Sequence, residues 1–146
     1  MDVKTSTKII LSKKSAKVLD VSQFSVKEGT PIAQWSRHGK ENQQWIFEKL
    51  DNDEESYKIT SKVSGLVLDV NGASTTEGAQ IIQWGWHAGP NQQWILEDAG
   101  SDYYYIKSVG SGLVLDIEGG SMKDGAKLIQ WEKTGSDNQL WKLIDV

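Results

Sequence analysis

Apolar positions fall in short clusters of four or five residues, and polar stretches rich in Gly, Ser, Asn and Asp separate them at regular distances. The segments 7–11, 18–21, 31–35 and 45–49 are rich in β-branched and aromatic side chains, and they predict four strands. The same order returns as 57–61, 66–70, 80–84 and 94–97, and again as 103–107, 113–117, 127–131 and 141–144. The pattern predicts twelve short strands. No window carries a capped 3.6-residue period, so no helix is expected.

Individual residues repeat along with the pattern. Val18-Leu19-Asp20-Val21 returns as Val67-Leu68-Asp69-Val70 and as Val114-Leu115-Asp116-Ile117, stepping by 49 and then 47. Gln34-Trp35, Gln83-Trp84 and Gln130-Trp131 keep those steps, as do Asn42-Gln43-Gln44-Trp45, Asn91-Gln92-Gln93-Trp94 and Asn138-Gln139-Leu140-Trp141. So do the turns Glu28-Gly29, Glu77-Gly78 and Asp124-Gly125. The chain divides into three copies of one unit, about 1–50, 51–99 and 100–146, forming a single domain.

Four strands cannot bury an apolar face alone, so the copies must complete one core. Closure about a pseudo-threefold axis does this and leaves no free sheet edge. One large side chain per unit suits the centre of such a barrel, which assigns Trp45, Trp94 and Trp141 to the core. In the Gln-Trp pairs, alternation along a strand allows only one residue of each pair to face inward. Ser64-Gly65 and Ser111-Gly112 mark turns between first and second strands. The matching Ser15-Ala16 implies that this turn has no strict need of a positive φ.

The thrice-repeated Gln-x-Trp, preceded by a Leu-Asp strand, resembles the ricin B-type lectins and the similar family 13 carbohydrate-binding modules. The resemblance spans essentially the whole chain. It implies an all-β, β-trefoil fold, with six strands in a barrel and six in a hairpin cap, and it implies carbohydrate binding. Lacking Cys, the chain looks closer to bacterial and fungal members than to the disulfide-bonded plant toxins.

A sugar site needs an aromatic face for the apolar side of the ring and planar polar groups for its hydroxyls. A carboxylate suits vicinal hydroxyls, because it accepts two hydrogen bonds and its charge strengthens both. Each unit supplies such a set at fixed offsets: Asp20, Trp35, His38, Asn42 and Gln43; Asp69, Trp84, His87, Asn91 and Gln92; Asp116, Trp131, Asn138 and Gln139, with Thr134 where the others have His. In the family, matching positions bind one sugar per repeat: Asp grips hydroxyls, the aromatic stacks, and Asn, often with His, completes the site. The residues themselves leave Gln43, Gln92 and Gln139 open between ligand contact and bonding to the adjoining loop. Trp86 has no aromatic counterpart in the other units. Beside His87 it would extend the stacking platform, which ranks the second unit as the strongest site.

Composition narrows the function further. Sixteen basic against twenty acidic residues give a net charge of −4, with no basic face to attract nucleic acid. The acidic run from Asp51 to Glu55 suits a solvated turn between units. Absence of Cys removes thiolate metal ligands and nucleophiles, and no cofactor is implied. No stretch has the length of a signal peptide or membrane span, so a soluble protein without membrane insertion is expected. These features recommend a non-enzymatic lectin for galactose or N-acetylgalactosamine, with up to three weak sites acting together; that choice of sugar comes from the resemblance. The alternatives are a xylan- or arabinan-binding module and a protein-interaction subunit of a toxin or hemagglutinin complex. Expected partners are glycans of glycoproteins, glycolipids or polysaccharides, with room for a homodimer or a partner toxin or enzyme chain.

Overall fold

The computed structural model describes residues 5–52 and 55–146, so residues 1–4 of the N-terminal stretch and Asp53 and Glu54 of the acidic run lie outside it. Twelve strands form among the described residues: β1 (Ser6–Ser12), β2 (Val18–Val21), β3 (Ile32–Trp35), β4 (Trp45–Lys49), β5 (Tyr57–Ser61), β6 (Val67–Val70), β7 (Ile81–Trp84), β8 (Trp94–Gly100), β9 (Tyr103–Ser108), β10 (Val114–Ile117), β11 (Leu128–Trp131) and β12 (Trp141–Asp145). Six of them close a ring, in which β1 pairs with β4, β4 with β5, β5 with β8, β8 with β9, β9 with β12 and β12 with β1. The remaining six form the hairpins β2–β3, β6–β7 and β10–β11, which cap one end of the barrel. The architecture is a β-trefoil.

Side-chain alternation decides what faces the core. Leu19 and Val21 of β2 join the buried cluster together with Trp45, Phe47 and Ile10, while Asp20 between them points the other way. The same holds for Leu68 and Val70 around Asp69, and for Leu115 and Ile117 around Asp116. Trp45, Trp94 and Trp141 are fully buried. A buried indole N–H needs an acceptor. Each donates to the carbonyl of the Leu in its own Leu-Asp strand, at 3.1 Å for Leu19 and Leu68 and 3.2 Å for Leu115.

The three hairpins are locked to one another through the inward-facing Gln of each Gln-Trp pair. Gln34 donates its amide to the carbonyls of Ser121 and Lys123, Gln83 to those of Ser25 and Lys27, and Gln130 to those of Ser74 and Thr76. All six bonds cross between repeats. Each Gln oxygen in turn accepts from a hydroxyl, of Ser15, Ser64 or Ser111, in the turn that begins its own hairpin.

Two features depart from the sequence-based expectation. Six single-turn 3-10 helices interrupt the loops among the described residues, one after each Leu-Asp strand and one ending on the Gln of each Gln-x-Trp. They are too short to carry a hydrophobic period. Ala16 also takes the left-handed conformation, with φ +60°, beside +74° at Gly65 and +75° at Gly112. The turn does require positive φ, and the first repeat meets it with a residue that has a Cβ.

Ala16 is exposed, so replacing it relieves strain without opening a cavity. The variant Ala16→Gly is expected to be more stable by about 1 kcal/mol. Chemical denaturation at equilibrium checks this, through a higher midpoint at unchanged slope.

Candidate functional site

Register in the hairpins builds each site. Val18 of β2 lies opposite Trp35 of β3, and Asp20 opposite Ala33, so the carboxylate and the indole share the outward face. Val67 faces Trp84 and Val114 faces Trp131 in the same way. Gln occupies the inward position of each pair, and the Trp rings stand 43 %, 40 % and 38 % exposed. An exposed indole at the same place in three repeats is a ready-made stacking surface.

Each platform rests on another repeat. A Cβ on Gly125 would meet Trp35 at 3.9 Å, and one on Gly29 or Gly78 would meet Trp84 or Trp131 at 3.8 Å. The acid before each of these glycines fixes the loop after the Trp. Glu28 accepts from the Gly85 N–H at 3.0 Å, Glu77 from Glu132 N–H at 3.0 Å, and Asp124 from Ser36 N–H at 2.8 Å.

The Asp residues are nearly enclosed, at 5 %, 4 % and 6 % exposure. Burial raises all three carboxyls above the usual range, although hydrogen bonds from the neighbouring amides oppose this. Asp20 accepts from Gln43 at 2.9 Å and Asn42 at 3.2 Å, Asp69 from Gln92 at 2.8 Å, and Asp116 from Gln139 at 2.9 Å and Asn138 at 3.2 Å. Asn42, Asn91 and Asn138 also donate to the carbonyls of Val21, Val70 and Ile117, and all three line their grooves.

Gln43, Gln92 and Gln139 bond to the adjoining loop as well as to the carboxylate. Both amide hydrogens are spent, one on the Asp and one on the carbonyl of Ser36, Gly85 or Glu132. Their oxygens accept from the backbone N–H of His38, His87 or Thr134. With no exposure at all, these glutamines hold the carboxylate and loop in place.

His38 and His87 line the first two grooves. Lys40 N–H donates to Nδ1 of His38 and Gly89 N–H to Nδ1 of His87, so the neutral rings carry their proton on Nε2. Nε2 lies 4.0 Å from Asp20 in one and 3.9 Å from Asp69 in the other. A hydroxyl seated between them could accept from the imidazole and donate to the carboxylate. The third groove has Thr134 here, and Glu118 and Lys14 join its lining.

Trp86 does not belong to the second groove. Its ring is half-buried beneath the Lys58 ammonium, 4.9 Å from the centroid, and it is not among the residues that line that groove. Sequence reasoning missed instead the tripeptides that follow the Leu-Asp strands. Ser22-Gln23-Phe24 lines a first groove of about 320 Å³, Asn71-Gly72-Ala73 a second of about 380 Å³, and Glu118-Gly119-Gly120 a third of about 600 Å³. Their fixed place after each strand was the available signal, although their residues share no pattern. Among the described residues, no group of three or more His, Asp or Glu is placed to hold a metal ion.

The family described as ricin-type beta-trefoil lectin domain-like matches residues 2–84 and 90–146. The designed threefold-symmetric protein ThreeFoil superposes with a TM-score of 0.92 at 41 % identity, over 96 % of this chain and 99 % of that one. An exo-β-1,3-galactanase from Clostridium thermocellum gives 0.92 at 36 % identity over 97 % of this chain, which spans only 30 % of the galactanase. A ricin B-like lectin of Macrolepiota procera, solved with lactose, shares the fold at a TM-score of 0.83 and 21 % identity, over 100 % of this chain and 99 % of that one. A search of curated proteins gave no match.

Raised carboxyls make a prediction about stability. A group whose pKa is higher in the fold than in the unfolded chain favours folding at low pH, and that contribution disappears as pH rises through the folded value. Ionised Asp20 and Asp69 therefore weigh against the fold at neutral pH. Asp20→Asn keeps an acceptor for Gln43 without the charge, so its melting temperature at neutral pH should equal or exceed that of the parent. The difference between the two should shrink in acid, which melting curves across pH would show.

Proposed function

Since this chain belongs to the ricin-type β-trefoil lectin domain-like family, we propose that it binds galactose-type sugars through the first two grooves, with the third as a weaker site. One observation carries this reading. In both grooves a buried carboxylate, an exposed indole and an imidazole N–H converge on one outward face, which is the set that a pyranose with vicinal hydroxyls calls for. The Asp accepts from two hydroxyls, the Nε2 proton serves one of them, the Asn stands beside them, and the Trp covers the apolar side of the ring. No bond is made or broken.

The choice of sugar draws support from two relatives, one solved with lactose and one a β-1,3-galactanase in which the similar region is less than a third of the chain. An axial hydroxyl leaves galactose one uninterrupted apolar face for the indole. Single shallow grooves of this kind bind weakly, on the order of millimolar, or about −4 kcal/mol. Sites held on one rigid body raise that through effective concentration when the target displays several sugars at matching spacing.

A glycan array run beside isothermal titration with lactose tests the proposal. The parent should mark galactose-terminated glycans, and the Asp20→Asn/Asp69→Asn variant should lose nearly all of that signal while keeping its fold. Binding by the double variant at parental strength would refute the assignment. Affinity should also fall on acidification, beginning above the ordinary carboxylate pKa of 3.8, because burial raises both groups and only the ionised form accepts from two hydroxyls. Titrations across the acidic range would show the decline in the parent.

A further inference from the structure

The first groove differs from the other two by a residue that the fold does not favour. After the Leu-Asp strand, the chain needs two successive left-handed residues in every repeat. The second repeat uses Gly72 and Ala73, at φ +65° and +53°, and the third uses Gly119 and Gly120, at +66° and +61°. The first places Gln23 and Phe24 there, at +55° and +56°. A bulky side chain with positive φ is a genuine outlier and costs stability. Phe24 recovers little by burial, since it remains 45 % exposed.

What Phe24 does instead is wall the groove. It lines the same cavity as Asp20, Trp35 and His38, and its ring lies nearly parallel to the imidazole, 10° apart with centroids separated by 6.1 Å. The His38 side chain is 32 % exposed, against 51 % for His87, which has no such neighbour. The first groove therefore has an aromatic wall in addition to its indole, where the second has Gly72 and Ala73 at the corresponding positions and Ile82 as its one further apolar side chain.

Resting on the reading of these grooves as galactose sites, we propose that Phe24 forms a subsite selecting sugars that carry an apolar substituent beside the hydroxyls gripped by Asp20. The chemistry it fits is a flat substituent on the sugar, larger than a methyl ether. An acetamido group and an aromatic aglycone both present this chemistry, from different positions on the ring. The second groove, lacking the wall, does not discriminate in this way. A strained aromatic kept at a half-exposed position is the kind of local cost that persists where it serves a site.

The test isolates the first groove with Asp69→Asn/Asp116→Asn and titrates methyl β-galactoside, N-acetylgalactosamine and 4-nitrophenyl β-galactoside. Phe24→Ala in that background should weaken one or both substituted sugars about five- to tenfold, in line with an aromatic contact, and leave methyl β-galactoside within about twofold. Whichever substituted sugar responds identifies the position that Phe24 reads. Phe24→Gly should repeat the selectivity loss while melting at a higher temperature, which excludes unfolding as the cause. Equal weakening of all three sugars would mean that Phe24 acts only by steadying His38, and no weakening would mean that it makes no contact; either overturns the inference. If the parent background binds none of the three, the underlying galactose reading fails instead.

Discussion

Three glutamine amides, those of Gln34, Gln83 and Gln130, join the repeats where water does not reach. Each donates two hydrogen bonds to carbonyls of a different repeat, and each accepts one from a serine of its own. Leaving such groups unpaired would cost roughly 1–3 kcal/mol apiece, so the hairpins have little freedom to shift relative to one another. The neighbouring residue inherits that rigidity. Because strand alternation turns Gln inward, it must turn Trp outward, and a single dipeptide both closes the cap and presents the stacking platform.

The sites draw on the same stock of stability. Asp20 stands in a strand between Leu19 and Val21, and only its direction keeps it out of the core. Burial makes its charge expensive, yet burial also strengthens any hydrogen bond the charge accepts. Gln43 mediates between these effects. It steadies the carboxylate with one amide hydrogen and fixes the following loop with the other, and it draws the His38 backbone toward the groove through its oxygen. A residue with no exposure therefore determines where the carboxylate, the following loop and the His38 backbone stand.

Much of this was legible in the sequence, because a repeat aligns its own positions. Equal offsets from Asp20, Asp69 and Asp116 aligned the Trp and Asn of all three units and the His of the first two without any homologue, and the alternation rule limited each Gln-Trp pair to two arrangements. Offsets describe one unit, however, and do not say which other unit lies beside it. The reach of Gln34 to Ser121, and of Asp124 to Ser36, could not be read from them. Nor could backbone conformation be read where the residue type gives no warning. Ala16, Gln23 and Phe24 all adopt positive φ in the first repeat, where glycine marks most of the corresponding places in the others. Trp86 illustrates the same limit: its place beside His87 gave no sign of the β5 lysine that lies over its ring.

The dependence between repeats explains why the third unit stays so regular although its own groove is incomplete. Lacking the imidazole, with Thr134 in its place, the unit would be free to lose its pattern if each repeat made its own site. It is not free, because Trp35 of the first groove rests on Gly125, and the loop after Trp35 is tied by Asp124. Gly125 sits at φ +88°, a conformation that only glycine takes without strain. The third repeat therefore keeps its Asp-Gly turn for the sake of the first groove, just as the first keeps Glu28-Gly29 for the second. Each groove is a property of two units, and closure of the last repeat onto the first is what completes the first groove.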